Sequence, residues 1–516
     1  MLLHGVFGGM SIWSSVLLFI GIYLAGSYIR RYIAYKRSGA MWPAYGTDKC
    51  LGFKVVREML KMRQIGRAPD FFQSKFEITG VYTGGLLVGG RYAITTRDPE
   101  NVKAILATQF NDFNLGNRNQ HIKVTLGDGI FTLDGAGWKS SRAMLRPQFA
   151  REQIAHVQLL ERHVQRLAQK VRGTKGERFD IQPLFAKLTI DSGTEFLFGE
   201  SCESLVDGET ESETGLDPAL KAVFAEAFNY TQTILFQRLS LQKLYFLVDG
   251  FKFRRQNRIV HQVTDFFVER ALHASDKEAH SSSRGGYVFL YELMKQTRDP
   301  KVLRDQCLNV LLAARDTTSG LLSFCFFELA RNPAVFARLR EEISFHFGLG
   351  ESADLSAISF ESLKKCEYLR AVLHETLRMY PSVPANFRVA TRDTTLPHGG
   401  GPDESKPIFV PKGTMCIYQV YSVHRSEVHY GKDYNDFRPE RWFEERTKKL
   451  GWAFLPFNGG PRICLGQQFA LTEALYVIVR LLQMFEHIES FDSVYPPAKA
   501  THLTMSLFDG ANIALW

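Results

Sequence analysis

The chain has no C-x-x-C pair, and its seven cysteines (Cys50, Cys202, Cys307, Cys325, Cys366, Cys416 and Cys464) are odd in number and widely spaced. That distribution excludes the disulfide framework of a small secreted domain, gives no support to a structural zinc site and predicts a reducing compartment. No G-x-G-x-x-G follows a strand pattern, so nicotinamide or flavin chemistry must come from another protein. The net charge is +9, but the basic residues form no block dense enough for nucleic acid. A basic surface suits anionic lipid or an acidic protein partner. Internal repeats and long low-complexity tracts are missing too. The most local absence is at the start, where the first 29 residues carry no Asp, Glu, Lys or Arg.

What is there supports a large globular chain. In 516 residues, 45% are hydrophobic, 13% aromatic and 23% charged, which is enough to bury a substantial core. Ser11 to Ile29 is an apolar run of bilayer-spanning length. Trp13 and Tyr28 lie near its ends, where interfacial aromatics belong, and Arg30, Arg31, Lys36 and Arg37 follow at once. Positive charge after the span predicts that the rest of the chain faces the cytoplasm. A cleaved signal peptide is the rival reading, but it needs a basic n-region and a small-residue cleavage site. We therefore expect residues 1–37 to be a membrane anchor with its basic stop, and residues 38–516 to be the catalytic domain.

Residues 80–96 read as paired strands with Gly-rich turns. Asp98-Pro99-Glu100 opens a helical run. Helical patterns cover roughly 150–172, 219–237, 252–274, 301–330, 333–346, 361–379 and 467–485, and short strands are expected near 387–390 and 415–418. The polar stretches 201–217 and 276–286 read as loops. The fold class is mainly α with small β-sheets (α+β).

The most informative stretch is Phe457-Asn458-Gly459-Gly460-Pro461-Arg462-Ile463-Cys464-Leu465-Gly466. A glycine-rich loop carries one cysteine directly before a helix. Glycines such as Gly466 let backbone approach a flat macrocycle and aim N–H groups at sulfur. The helix N-terminus favours a thiolate at Cys464. Arg462 can reach a haem propionate, Phe457 can pack on the ring, and a thiolate ligand on iron favours O–O cleavage. A buried structural cysteine is the plainer alternative, and this residue register argues against it.

The loop resembles the haem-binding signature of the cytochrome P450 superfamily, and the resemblance covers nearly the whole chain after the anchor. Glu375-Thr376-Leu377-Arg378 looks like the family's E-x-x-R, and Phe437 to Trp442 like its partner segment. Ala313 to Thr318 resembles the oxygen-activating stretch of its long central helix, and Trp138 with Arg142 its W-x-x-x-R. Leu126 to Phe149 and Asn386 to Thr395 look like the fungal branch that hydroxylates alkanes and fatty acids. The resemblance implies a P450 fold after one transmembrane helix, haem b held by Cys464, O₂ as co-substrate, and NADPH electrons from a separate NADPH-cytochrome P450 reductase. It also implies the endoplasmic reticulum membrane, with a single pass and the catalytic domain facing the cytoplasm.

The remaining candidates carry a plain and a functional reading. Glu375 and Arg378 neighbour each other on a helix, which alone makes only a surface salt bridge. The resemblance adds Arg441 and implies a buried triad for folding and haem retention. Trp138 and Arg142 share a helix face and both donate hydrogen bonds, so propionate binding is the functional reading. Arg388 is a second propionate ligand by resemblance. Asp316 and Thr317 lie in an apolar helix. Thr317 can bond back to the preceding turn, or the pair can deliver the protons that O–O cleavage needs. The family's usual glycine is Ala314 here, and only Pro43 stands where a proline-rich hinge is common. The expected activity is hydroxylation of a long alkyl chain at or near its end, with Ala314 and Leu507-Phe508 as candidate pocket walls. The alternatives are a tailoring monooxygenase on a polyketide or terpenoid and a haem protein without turnover.

Overall fold

The computed structural model describes residues 12–43, 52–88, 91–150, 157–207, 215–274 and 287–516. The expected loop at 276–286, the first part of the expected helix at 150–172, and Cys50 lie outside them. The chain divides into two compact units.

The smaller unit takes the chain up to Val55, Phe76–Asn114 and Phe387–Tyr418. Its first element, α1 (Ile12–Ser38), ends on Lys36 and Arg37, which complement the negative helix end. Seven strands follow: β1 (Thr83–Val88), β2 (Arg91–Thr96), β3 (Phe113–Asn114), β4 (Asn386–Ala390), β5 (Thr394–Gly400), β6 (Lys406–Val410) and β7 (Met415–Tyr418). The main sheet has the order β1-β2-β7-β4-β3, with β1/β2 antiparallel and β2/β7 parallel. The expected strand pair at 80–96 and the expected short strands at 387–390 and 415–418 are therefore all present. β5 and β6 form a bulged hairpin. Met41 joins it, donating to the Pro407 carbonyl at 2.8 Å, while Trp42 packs between Tyr35 and Phe409. The helix opened at Pro99, capped by Asp98, passes into a π-helical turn at Ala104–Thr108.

The larger unit is mostly helical. Its main helices are α2 (Gly135–Leu145), α3 (Gln182–Phe198), α4 (Pro218–Leu241), α5 (Phe251–His273), α6 (Pro300–Arg331), α7 (Pro333–Phe347), α8 (Glu367–Met379) and α9 (Gln467–Met484). Where one helix was expected over 361–379, the structure has two, Phe360–Lys365 and α8, separated at Cys366. Glu342 of α7 explains the restart. Its carboxylate accepts from the Tyr368 and Leu369 N–H groups at 2.9 and 2.8 Å, satisfying donors that a new helix leaves open.

α6 organises this unit. Asp299 caps it, accepting from the Lys301 and Val302 N–H groups, and Pro300 sits at its first position where the missing N–H costs nothing. Two apolar cores meet along its length. Leu303, Leu308 and Leu311 belong to one with Ile190, Phe224 and Val263. Leu321, Phe324 and Leu329 belong to the other with Phe185, Leu373 and Leu475. Between these buried halves Ala313, Ala314, Asp316 and Thr317 are partly accessible. A solvent-accessible stretch in the middle of a buried helix marks an interior space rather than an outer surface.

Candidate active site

The cysteine loop enters that same junction. Phe457 packs on the core around Leu373, and Leu465 on the core around Ile190. Asn458 and Gly460 have φ of 63° and 66°, a left-handed conformation that glycine and asparagine accept most readily. A Cβ on Gly459 would stand 2.5 Å from the Trp452 ring. The Cys464 N–H donates to the Phe457 carbonyl at 3.0 Å and closes the loop. Protein atoms surround Cys464, yet the residue is exposed. Both hold together when the thiol lines an interior cavity. Burial pushes its pKa up, while the Gly466 N–H and the Arg142 charge oppose that. A Cβ on Gly466 would meet no protein atom closer than Phe149, at 3.6 Å, so protein packing leaves this position open on the loop.

Two guanidiniums converge on the Trp138 ring, and the charge of Arg142 also acts on the sulfur. Arg142, on α2, donates to the Ile463 carbonyl at 2.9 Å and lies 5.9 Å from the centre of the buried Trp138 ring. Arg462 lies 4.4 Å from the same ring and donates to Asp134 at 2.6 Å and to the Leu133 carbonyl at 3.1 Å. Asp134 was missed as a site residue, because before a helix it reads as a cap. Here its side chain accepts from Leu115 N–H and Arg462 instead. The segment Leu126–Gly135 that carries it is fastened to α6. Asp305 accepts from the Asp128 N–H at 2.9 Å, and the Asn309 amide donates to the Leu126 carbonyl at 2.8 Å.

On α6, the Thr317 hydroxyl donates to the Ala313 carbonyl at 2.7 Å, the local bond that a mid-helix threonine makes. Asp316 is paired with Arg315 at 2.9 Å. Burial raises its pKa, against the charges of Arg315 and His502. The helix runs through Ala314 without interruption.

The buried triad is fully formed. Glu375 accepts from Arg378 at 2.8 and 2.9 Å, from Arg441 at 2.8 Å, from the Trp442 indole at 3.0 Å and from the Arg438 N–H at 3.0 Å. Burial works against the charged form of Glu375, but Arg378 and Arg441 outweigh it and hold the pKa below its ordinary value. His424 links this network to the cysteine loop, and nothing local in the sequence signals it. Its Nε2 accepts from the Leu455 N–H at 2.8 Å, which puts the proton on Nδ1, facing the Arg378 carbonyl at 3.2 Å. Arg388 belongs to the sheet unit, where its guanidinium donates to the Phe387 carbonyl at 2.8 Å and lies 5.8 Å from the Tyr418 ring centre.

The family model for cytochrome P450 matches residues 55–506. This chain belongs to the cytochrome P450 family. It is 57% identical to cytochrome P450 52A12 of Debaryomyces hansenii, over 96% of this chain and 95% of that protein. It is also 57% identical to cytochrome P450 52A3-B of Candida maltosa, over 94% and 93% of the two chains. The crystal structure of the cytochrome P450DA haem domain shares the fold, with TM-score 0.69 at 22% identity over 87% of this chain and 92% of that one.

A P450 is a haem-thiolate monooxygenase that uses O₂ and NADPH-derived electrons from a redox partner, and it acts on a hydrophobic substrate. The residues here fit a haem. An accessible thiol sits on a loop flanked by two apolar cores, with a backbone N–H and the Arg142 charge acting on it, and Arg142 and Arg462 both lie against the Trp138 ring close by. A dianionic macrocycle edge suits such a pair of cations. The two expected wall residues differ in their surroundings. Leu507 is buried in the main core with its backbone tied to Gln182, whereas Phe508 is exposed. The residue of this hairpin that packs toward the junction is Leu503.

Proposed function

We propose that this P450 hydroxylates long alkyl chains, fatty acids or alkanes, at or near the terminus. The observation that carries the reading is the pairing of two features within the larger unit: the partly accessible Ala313–Thr317 stretch of α6 between two apolar cores, and a cysteine loop whose flanks pack on those same cores. Cys464 is the iron ligand. Trp138, Arg142 and Arg462 hold the propionates, with Arg388 as a further propionate ligand, while Phe457 and the Gly466 N–H support the ring and the sulfur. Bound there, the haem supplies the oxygen-activating chemistry. The chain's own residues orient the substrate and move protons. Asp316 brings protons inward and the Thr317 hydroxyl presents them at the oxygen-binding side. The balance is RH + O₂ + NADPH + H⁺ giving ROH + H₂O + NADP⁺.

Chain length supports the substrate class in physical terms. A terminal methyl has a stronger C–H bond than an internal methylene, so attack at the end must be imposed by position rather than reactivity. Each buried methylene contributes roughly 0.8 kcal/mol, so apolar walls alone can hold a long chain. The likeness of Leu126–Phe149 and Asn386–Thr395 to alkyl-chain hydroxylases points the same way. The electron donor is NADPH-cytochrome P450 reductase, and the enzyme sits in the endoplasmic reticulum membrane through residues 1–37, with 38–516 as the cytoplasmic catalytic domain.

Two measurements test this. The reduced carbonyl complex should show the band of thiolate-ligated haem, and Cys464→His should abolish it. Retention of the band removes Cys464 from its role. Microsomes containing reductase should convert C12–C18 fatty acids mainly to terminal or near-terminal alcohols. Turnover of a compact polycyclic metabolite, with none of any linear chain, replaces this reading with that of a tailoring enzyme.

A further inference from the structure

We propose that His502, in the hairpin turn between residues 499–501 and 505–507, is the port through which protons from solvent reach Asp316. The inference rests on the proton-delivery reading of Asp316 above. Asp316 sits in the middle of a helix whose flanks are sealed in two cores, so a carboxylate there needs a recharging route. α4 supplies one side of it. Gln232 and Phe236 are one turn apart and share a face. The buried Gln232 amide approaches Asp316 closely enough to favour its charged form, without the geometry of a formed hydrogen bond. Phe236 packs edge-on against the His502 ring, with centroids 5.9 Å apart.

The hairpin supplies the other side. Its Met505 carbonyl lies so close to α6 that a Cβ on Gly320 would stand 2.7 Å from it. The Met505 N–H donates to the Ser382 carbonyl at 2.9 Å, and the Ser382 hydroxyl donates to the Thr317 carbonyl at 3.3 Å. The turn is thus docked one helical turn from the acid, while His502 itself remains exposed. The charged groups that face the ring are Asp316 from α6 and Arg63 from the helix Phe53–Gln64. The Arg63 guanidinium lies 4.2 Å from the centre of the Phe236 ring that packs on His502. Burial and Arg63 lower the imidazole pKa, and Asp316 raises it. The balance leaves a ring that is readily neutral and can both take and release a proton. In the step itself, the imidazolium gives its N–H proton to an intervening water, which passes a proton on to the Asp316 carboxylate. The N–H bond breaks, an O–H bond forms, and the neutral ring is recharged from bulk water. No oxidant or reductant is needed.

The test measures product formed and peroxide released per NADPH consumed, from pH 5.5 to 8.5, in reductase-containing microsomes. Wild type, His502→Gln, Gln232→Leu and Asp316→Asn are compared, with substrate affinity followed separately by the substrate-induced haem spectral shift. Wild type should lose coupling as pH rises and the ring empties of protons. His502→Gln should stay several-fold less coupled at every pH, with no such slope and with substrate affinity kept. Wild-type coupling and slope in His502→Gln overturn the port. Should that variant lose substrate affinity, Gln232→Leu decides, because it leaves the ring in place. A flattened slope there supports the route and an unchanged one overturns it. Unchanged coupling in Asp316→Asn instead overturns the proton-delivery reading on which the port depends.

Discussion

Glu375 is a charge buried out of water, and it survives because five hydrogen bonds, two guanidiniums among their donors, replace its hydration. The same reasoning applies to His424 with the opposite charge state. Burial and the nearby Arg378 push its pKa from 6.5 down to about 3, so the folded protein holds it neutral with both ring nitrogens engaged. As pH falls below the unfolded pKa, the unfolded chain takes up a proton that the folded one refuses until about pH 3. The folded state therefore loses up to about 1.4 kcal/mol per pH unit over that window. Denaturant midpoints at pH 7 and pH 5 should differ less in His424→Gln than in wild type. An equal difference would show that another group carries the acid sensitivity. His424→Phe leaves the Leu455 N–H and the Arg378 carbonyl unpaired, at about 1–3 kcal/mol each, and should shift part of the haem to a form without the thiolate band. Thr317→Ala removes only the hydroxyl. It should still bind haem and consume NADPH, with less oxygen in product and more in peroxide, whereas unchanged coupling would make the bond to Ala313 its whole role. Cys464 was legible because glycines, an arginine and a helix start crowd into ten residues around it. The pairing of Arg462 with Asp134 was not, because the two are brought together only by the fold.

Helices long enough to show their period were readable as such. The expected 301–330 and 333–346 are within one residue of α6 and α7, since Pro300 and Pro333 mark both starts. The break at Cys366 was invisible because its cap comes from Glu342, 26 residues before the Tyr368 N–H that it accepts. The segment Leu126–Gly135 was recognised only by likeness, and the structure supplies the physical reason for its glycines. Gly127 has φ of 62° with ψ of −150°, a region essentially closed to side chains. A Cβ there would stand 1.9 Å from the Asp305 carboxylate carbon, and one on Gly129 would stand 2.3 Å from the Asn309 amide. The loop backbone therefore lies directly on α6, and through Asp134 it carries the partner of Arg462. Gly127→Ala should cost about 2 kcal/mol or more, combining backbone strain with displacement of Asp305. The measurement is the thermal midpoint of the haem-loaded enzyme, and a midpoint equal to wild type would mean that this contact is slack.

On the scale of the whole molecule, one long helix contributes no described residue to either apolar core. α1 has 27 residues, which at about 1.5 Å per residue is roughly 40 Å, against about 30 Å of bilayer hydrocarbon. Its apolar window has none of its residues buried inside the protein, so the exposed faces of Leu17, Phe19, Ile22 and Tyr23 have lipid as their natural solvent. The uncharged part, up to Ile29, accounts for most of the hydrocarbon thickness, which puts Arg30, Arg31, Lys36 and Arg37 at the headgroups of one leaflet. Basic residues stay on the cytoplasmic side, and the strand-like segment Met41–Pro43 then ties the helix end to the β5–β6 hairpin. If this helix spans the bilayer as proposed, the charges after it rather than the apolar run should set which way the enzyme faces. The full chain should remain with membranes after alkaline carbonate washing, and protease added to intact microsomes should digest the catalytic part. Replacing the four basic residues with Gln keeps the apolar run but removes the orientation signal, so a measurable fraction should become protease-protected. Protection of the wild-type chain would mean the opposite topology, and an unprotected four-Gln variant would mean that something other than these charges sets it.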